Sequence, residues 1–432
     1  MNITAKWIAA AWLLAMPAAA LPQLALPTLG PALPLPDQRL GKKIDPLIDP
    51  VSGMVDERVL DRLSKSELST VLKRLRFDRL NQFVRQNGDH VERDRNGEAA
   101  VRGVLIASGV SEGALEKAQQ AGFRILERTS IEGLDLDYVK FATRPGESLK
   151  SDQKRLQKLA GDAEISADNI YFTSGSVPPA TNGALLASST VPSGTMGLID
   201  GGVARHSAIT IPVEQRGFAR GAPKASSHAT AIASLISGAL RSDGHGLLAA
   251  DIYGSDPAGG NATAIARALG WMAQRHVPVV AISLVGPDNG LLSRAIKAAQ
   301  RKGMLIVAAV GNDGPAAPPR YPAAYRGVIG VTGVDQHERA LPEAGTATPV
   351  DFAAPGAGIM GASPDGQLVA LRGTSFAAPL AAARLMFHYP ATDIGRIESA
   401  VTGLIREAKD LGKKGVDKIY GNGLICRKCG LR

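Results

Sequence analysis

Through the second half of the chain, short apolar runs alternate with segments whose apolar positions recur every three to four residues. Residues 196–199, 247–253, 277–284, 304–310 and 328–334 read as strands, and 229–240, 262–274 and 291–301 as the helices between them. This alternation predicts an α/β domain over residues 196–432, built on a parallel sheet with helices on both faces. In open sheets of that class reactive side chains gather at the carboxyl ends of the strands, so the polar residues there carry the most weight.

Upstream the pattern changes. Residues 104–107 read as a strand, 111–120 as a helix, 123–126 and 138–142 as strands, 148–159 as a helix and 165–172 as extended chain. A βαββαβ order predicts a small α+β ferredoxin-like domain over residues 101–175. Before it, Leu60, Leu63, Leu68, Val71, Leu72, Leu75, Leu80, Phe83 and Val84 recur at helical spacing among charges of both signs, so 56–100 is an amphipathic helical segment. The mixture of signs favours docking on a neighbouring domain over lying on a membrane. Seven prolines between residues 21 and 50 mark a Pro-rich linker over 21–55, and the Ser, Thr, Gly, Pro and Ala of 176–195 mark a second, exposed and cleavable linker.

Residues 1–20 carry one charge, Lys6, then an apolar run over 7–16, then Pro17-Ala18-Ala19-Ala20. A charged start, a short apolar stretch and an Ala-x-Ala end make a signal peptide, which predicts export to the periplasm or the exterior. That stretch falls short of the ~20 apolar residues a bilayer-spanning helix needs, and no later run reaches them, so no transmembrane segment is expected.

Composition narrows the classes further. Of 432 residues, 45% are hydrophobic and 21% charged, which excludes wholesale disorder; 48 Gly and 27 Pro without a three-residue period exclude collagen. Aromatics at 4% argue against a stacking platform for sugars or single strands, and no nucleic-acid partner is expected. Of the net charge of +9, all but that of Lys6 sits in the C-terminal half, where residues 190–432 hold 25 basic and 17 acidic side chains, dispersed as a solvated face would have them. Both cysteines lie in Cys426-Arg427-Lys428-Cys429, which in an oxidising compartment predicts a tight disulfide or an intermolecular pairing. Two thiols are too few for a zinc site, and no acidic cluster has the spacing of a calcium loop, so no metal or other cofactor is assigned.

The candidate chemistry lies in three segments. Gly373-Thr374-Ser375-Phe376-Ala377-Ala378-Pro379 leads into an apolar helix, placing Ser375 at a helix N-terminus, where backbone N–H groups face a developing oxyanion. A serine there is by itself more often an N-cap than a nucleophile. Its weight rises because Asp200 ends a strand before Gly201-Gly202, and His228 opens the helix that follows Ser226-Ser227. Asp can then fix the imidazole, His take the hydroxyl proton and Ser attack an acyl carbon.

These three segments, in this chain order, resemble the Asp, His and Ser motifs of subtilisin-like serine peptidases, the subtilases, over residues 196–426. The resemblance implies a serine endopeptidase acting on protein or peptide substrates through an acyl-enzyme. It also implies that Asn312, in Gly311-Asn312-Asp313-Gly314, is the oxyanion-hole asparagine, and that Ser283, Leu284, Val285 and Gly286 form the substrate-binding strand. Residues 101–175 resemble the folding-assisting, inhibitory prosegments of that family. The enzyme would then be a precursor whose own prosegment is a partner, with residues 165–172 laid along Ser283–Gly286 and the chain cut within 173–195.

Two other classes stand beside this reading. A catalytically silent subtilase-fold binding or assembly protein is motivated by Ala229, where the family usually has Gly after the histidine, and by Val285, where Gly is usual; all four catalytic positions nonetheless keep their residue types. A nucleotide-binding α/β protein would need a phosphate loop after the first strand, and none is present.

Overall fold

The computed structural model describes residues 63–175, 177, 183–240 and 244–429. The signal peptide, the Pro-rich linker and the start of the amphipathic segment expected from the sequence lie outside the described residues.

The first helix, α1 (Lys65–Gln86), opens on a capping box. Glu67 N–H donates to Ser64 Oγ and Ser64 N–H donates back to the Glu67 carboxylate, so two otherwise orphaned donors are satisfied at once. Strand β1 (Val91–Arg93) leads into the small domain: β2 (Ala99–Ser108), α2 (Glu112–Gln120), β3 (Arg124–Ile131), β4 (Leu136–Ala142), α3 (Leu149–Ala160) and β5 (Glu164–Asn169). Its sheet is antiparallel, with β2 paired to both β4 and β5 and β3 outside β4. Side chains alternate across it. Leu105, Ala107, Val139 and Phe141 face α2 and α3, while Ile106, Tyr138 and Ile131 face away and join the core of the large domain.

That large domain is built on seven parallel strands in the order β14-β13-β12-β10-β7-β9-β8, with β7 (Met196–Asp200) near the middle. Beside it run β9 (Leu247–Asp251) with β8 (Val213–Gly217) outside, and β10 (Val279–Ile282), β12 (Leu305–Ala309), β13 (Ile329–Val334) and β14 (Phe352–Pro355) on the other flank. Leu198, Ala249, Ala281, Val307 and Val331 bury against α4 (Ser227–Leu240) and α7 (Thr374–His388). Ile199, Leu248, Val280, Ile282 and Ile306 bury against α5 (Ala262–Gln274) and α6 (Gly290–Arg301). Because both faces are covered, the strands read as unbroken apolar runs, which is why they were visible in the sequence. The α/β class expected from that pattern is the one observed. A short β11 (Leu284–Val285) follows β10, and a hairpin of β15 (Ala357–Ala362) and β16 (Leu368–Arg372) precedes α7, with α8 (Ile397–Glu407) after it. Cys426 and Cys429 form a disulfide. No helix among the described residues is long and apolar enough to cross a membrane.

One expectation needs correction. The extended run 165–172 is divided: Glu164–Asn169 belongs to the small-domain sheet beside β2, and only β6 (Phe172–Thr173) turns to pair with β11. The division falls where Ile170 N–H still donates to Ala99 O while Tyr171 N–H donates to Gly260 O in the large domain. The stretch expected as an exposed linker, 176–195, is exposed at most positions from Ala184 to Thr190, and from Ala184 to Ser189 it is also hydrogen-bonded to the large domain. Leu186 N–H donates to Val203 O, Arg205 N–H to Ala184 O and Ser189 N–H to Val213 O. Leu186 packs against the α4–α7 core, an apolar anchor in a polar-looking stretch.

Asp152, a fully buried carboxylate of the small domain, accepts from the Arg144 backbone N–H at 2.6 Å and from its guanidinium at 2.9 and 2.6 Å. Asp152→Ala removes the acceptor shared by the Arg144 backbone N–H and its partly exposed guanidinium. We predict a loss of about 3 kcal/mol in small-domain stability, measured by urea unfolding of the full chain. A change below about 0.5 kcal/mol would show that water satisfies Arg144 equally well.

Candidate active site

The parallel register sets the carboxyl ends of three neighbouring strands level. Ile282 sits opposite both Ile199 and Ala308, so Asp200, Ser283 and the turn after Ala309 emerge at one edge of the sheet. Asp200 is fully buried and its Oδ1 accepts the Gly201 N–H at 2.8 Å. The Asp200 carboxylate also meets His228 Nδ1, at 2.9 Å from Oδ2 and 3.1 Å from Oδ1. An imidazole held this way carries its proton on Nδ1 and turns a basic Nε2 outward.

Ser375 lies in the first turn of α7, behind Gly373, whose φ of 142° is open to glycine. A side chain there would meet Asn312 Nδ2 and the backbone of Ser174 and Gly175. The His228 and Phe376 rings stand 5.3 Å apart, so His228 and the Ser375 segment share one wall. The structure makes no Ser375–His228 hydrogen bond. Instead Ser375 Oγ and His228 Nε2 are both buried without a partner. Unsatisfied polar atoms of this kind are uncommon in a folded interior, and two facing one cleft fit a reactive pair. Here Gly175 presses against Oγ so closely that a Cβ on it would collide with that atom and with Phe376.

Asn312 is held by its own amide. Its Oδ1 accepts the Thr374 N–H at 3.1 Å, while Thr374 Oγ1 accepts the Gly311 N–H at 3.2 Å. Its Nδ2 is thereby aimed into the cleft, where it donates to the carbonyl oxygen of Ser174. The segment ending in Ser174 lies along the strand expected to bind substrate: Phe172 pairs antiparallel with Val285 and Thr173 with Leu284, and Ser174 N–H donates to Ser283 O at 3.4 Å. Ser283 Oγ donates to the Ser375 carbonyl at 2.8 Å, tying this strand to α7. Gly286 touches the Tyr171 ring. All of Asp200, His228, Asn312, Ser375 and Ser283–Gly286 thus meet around residues 171–175.

Three contributors escaped the sequence. Thr374 aims Asn312, yet as one of two hydroxyls in a row it gave no distinct signal. Gly260 forms the second edge of the cleft, and its neighbours in Gly259-Gly260-Asn261 read only as a turn. Asp251, opposite Asp200 in register, accepts the Lys224, Tyr253 and Gly254 N–H groups at 2.7–3.0 Å. Burial pushes its carboxyl above the usual carboxylate range, with the Asp200 charge adding to it. It ties the loop before His228 to the strand edge, and its position at a strand's carboxyl end was readable.

Comparison with known proteins points to one family. The family model described as "Subtilase family" matches residues 210–423, a span that holds His228, Asn312 and Ser375 and begins beyond Asp200. The chain is 30% identical to subtilisin DY of Bacillus licheniformis over 173 residues, 38% of this chain and 61% of that protein. It is 37% identical to thermitase of Thermoactinomyces vulgaris over 121 residues, 28% of this chain and 43% of that protein. It therefore spans less than two thirds of the length of either relative. Among solved structures, fervidolysin from Fervidobacterium pennivorans, a keratinolytic enzyme related to subtilisin, superposes with a TM-score of 0.57 at 14% identity, covering 79% of this chain and 62% of that one, which establishes likeness of fold. Its motifs, its sheet and these matches support a subtilase-family serine peptidase.

Proposed function

We propose that the chain is an exported serine endopeptidase, made as a precursor that cuts itself between Ser174 and Gly175. The observation that carries this reading is the seat of that one peptide group: its carbonyl accepts from Asn312 Nδ2 while Gly175 lies against Ser375 Oγ. A carbonyl polarised beside an unpaired nucleophile is the ground state of acyl transfer.

In the proposed reaction Ser375 Oγ attacks the Ser174 carbonyl carbon as His228 Nε2 takes its proton. Asp200 holds the imidazole and stabilises the imidazolium. The charge that builds on the carbonyl oxygen meets the Asn312 amide, already aimed by Thr374. The imidazolium then protonates the departing Gly175 nitrogen, leaving Ser174 as an ester on Ser375, and water activated by the same imidazole releases it.

The small domain with its tail is, in this reading, the prosegment, and helix N-termini hold it. Asp168, fully buried, accepts Thr263 N–H and Oγ1–H at 3.0 and 2.8 Å in the first turn of α5, and pairs with Lys140 at 3.2 Å. Asn289, the N-cap of α6, donates to Ala167 O and to Asn169 Oδ1. A carboxylate at a helix start meets the positive end of its dipole, which favours docking. Export rests on the charged start and short apolar stretch of residues 1–20.

Purified wild-type chain should yield a product whose N-terminus reads Gly175-Ser176-Val177, found by mass spectrometry, and Ser375→Ala should accumulate uncut. Trimming of Ser375→Ala at that bond when purified alone would assign the cut to another protease. Once matured, Asn312→Ala should lose about 10² to 10³ in kcat with KM nearly unchanged, since the donor acts mainly on the transition state. An unchanged kcat would mean that another group fills the hole.

A further inference from the structure

Asp251, at the carboxyl end of β9, is buried like Asp200, its neighbour in register on β7, yet it takes no part in the proposed reaction. The hydrogen bonds to its carboxylate come from backbone N–H groups and divide between the two oxygens. Oδ1 accepts Tyr253 N–H at 2.8 Å and Gly254 N–H at 3.0 Å, from the turn that follows its own strand. Oδ2 accepts Lys224 N–H at 2.7 Å, from the loop that leads to α4. A carboxylate taken out of water is costly unless its oxygens are satisfied, so losing Lys224 would strand Oδ2.

Lys224 is gripped from both sides. Its carbonyl accepts Gly202 N–H at 3.1 Å, and Ser226 N–H donates to Gly202 O at 2.8 Å, so 224–226 lies as a short parallel run against the turn that follows Asp200. The fit is close: a Cβ on Gly202 would collide with the Lys224 backbone, and one on Gly201 with the Ser226 side chain. Ser226 then anchors the first turn of α4, its carbonyl accepting Thr230 N–H at 3.0 Å and the Thr230 hydroxyl at 2.6 Å. His228 stands between Ser226 and Thr230. Two contacts of Lys224, one to the turn after Asp200 and one to the strand beside it, therefore set where the imidazole meets Asp200.

Resting on the endopeptidase reading above, we propose that Asp251 is a positioning residue for that reaction: by holding Lys224 N–H it fixes the run that enters α4 and keeps His228 Nδ1 seated on the Asp200 carboxylate. It acts through Lys224 and touches neither substrate nor the reacting atoms. Asp251→Asn isolates this role, because an asparagine accepts with one oxygen only. Keeping the two bonds to Tyr253 and Gly254 turns its NH2 group towards Lys224 N–H, donor against donor, so the bond on the histidine side is the one lost. The turn that carries Tyr253 and leads to Gly260 keeps its anchor, which leaves the cleft wall in place.

The test compares wild type and Asp251→Asn, both made as the full chain, with active sites counted by fluorophosphonate labelling of Ser375. Per labelled site of the matured protein, kcat for a quenched peptide should fall about tenfold or more, while KM stays within about threefold. The cut of the chain's own Ser174–Gly175 bond should slow by a similar factor, and the downfield proton resonance of His228 Nδ1–H should shift or broaden. In wild type, Lys224 N–H should resist hydrogen exchange as the β9 amides do, a reading that needs no variant and decides alone if Asp251→Asn does not fold. A Lys224 amide that exchanges as fast as exposed loop residues would overturn the proposal. So would an Asp251→Asn protein that keeps wild-type kcat, or one whose KM rises with kcat unchanged, the mark of a cleft-wall role; either leaves the peptidase reading intact. Wild-type protein that neither takes the label nor cuts any peptide would overturn both.

Discussion

One amide orders the cleft. Asn312 accepts from the first turn of α7 through Oδ1 and donates to the Ser174 carbonyl through Nδ2, so the loop after β12, the helix that carries Ser375 and the segment in the cleft are fixed by a single planar group. Rotating it by half a turn would set an acceptor against the carbonyl and a donor against the Thr374 N–H. Thr374 therefore determines which end of the amide faces the cleft. The same threonine's hydroxyl accepts from Gly311, so the loop cannot drift away from the helix without losing both bonds.

What brings these parts together is the register of a sheet buried on both faces. With Ile199, Ile282 and Ala308 level across β7, β10 and β12, the next residues of each strand have nowhere to go but the same edge. Helices α4 and α7, packed side by side on one face, then deliver His228 and Ser375 from their first turns. The helices of the other face, α5 and α6, point their N-termini at the small domain, where Asp168 and Asn289 make the buried bonds. One layered architecture thus provides the reactive edge and the dock for the segment that fills it. A third contact joins them near Asn312: Arg76 of α1 pairs with Asp313 at 3.3 Å, and Leu72 lies over Gly314.

Much of this was legible in the chain. Strands buried on both faces leave continuous apolar runs, and the helices between them keep their period, so the α/β class and most of its elements could be read directly. The strands that escaped, β8 with Val213-Glu214-Gln215-Arg216-Gly217 and β14 with Phe352-Ala353-Ala354-Pro355, lie at the two edges of the sheet, where apolar runs are short or mixed. Asp200, His228 and Ser375 were readable as candidates because each stands at a strand end or a helix start, both of which have local signatures. Tyr171 and Gly260 were not. Their importance comes from lying across the cleft from residues far away along the chain, as the Tyr171–Gly260 and Tyr171–Pro287 bonds show, and no local pattern records that.

The account turns on Ser375 being a nucleophile whose cleft is occupied in the uncut chain. Tandem mass spectrometry after exposure to a fluorophosphonate, run on the matured protein and on uncut precursor, tests this most directly. The account predicts an adduct on Ser375 in the matured protein and much slower labelling of the same residue in the precursor. An adduct on a different serine, or equal labelling of Ser375 in both forms, would contradict it.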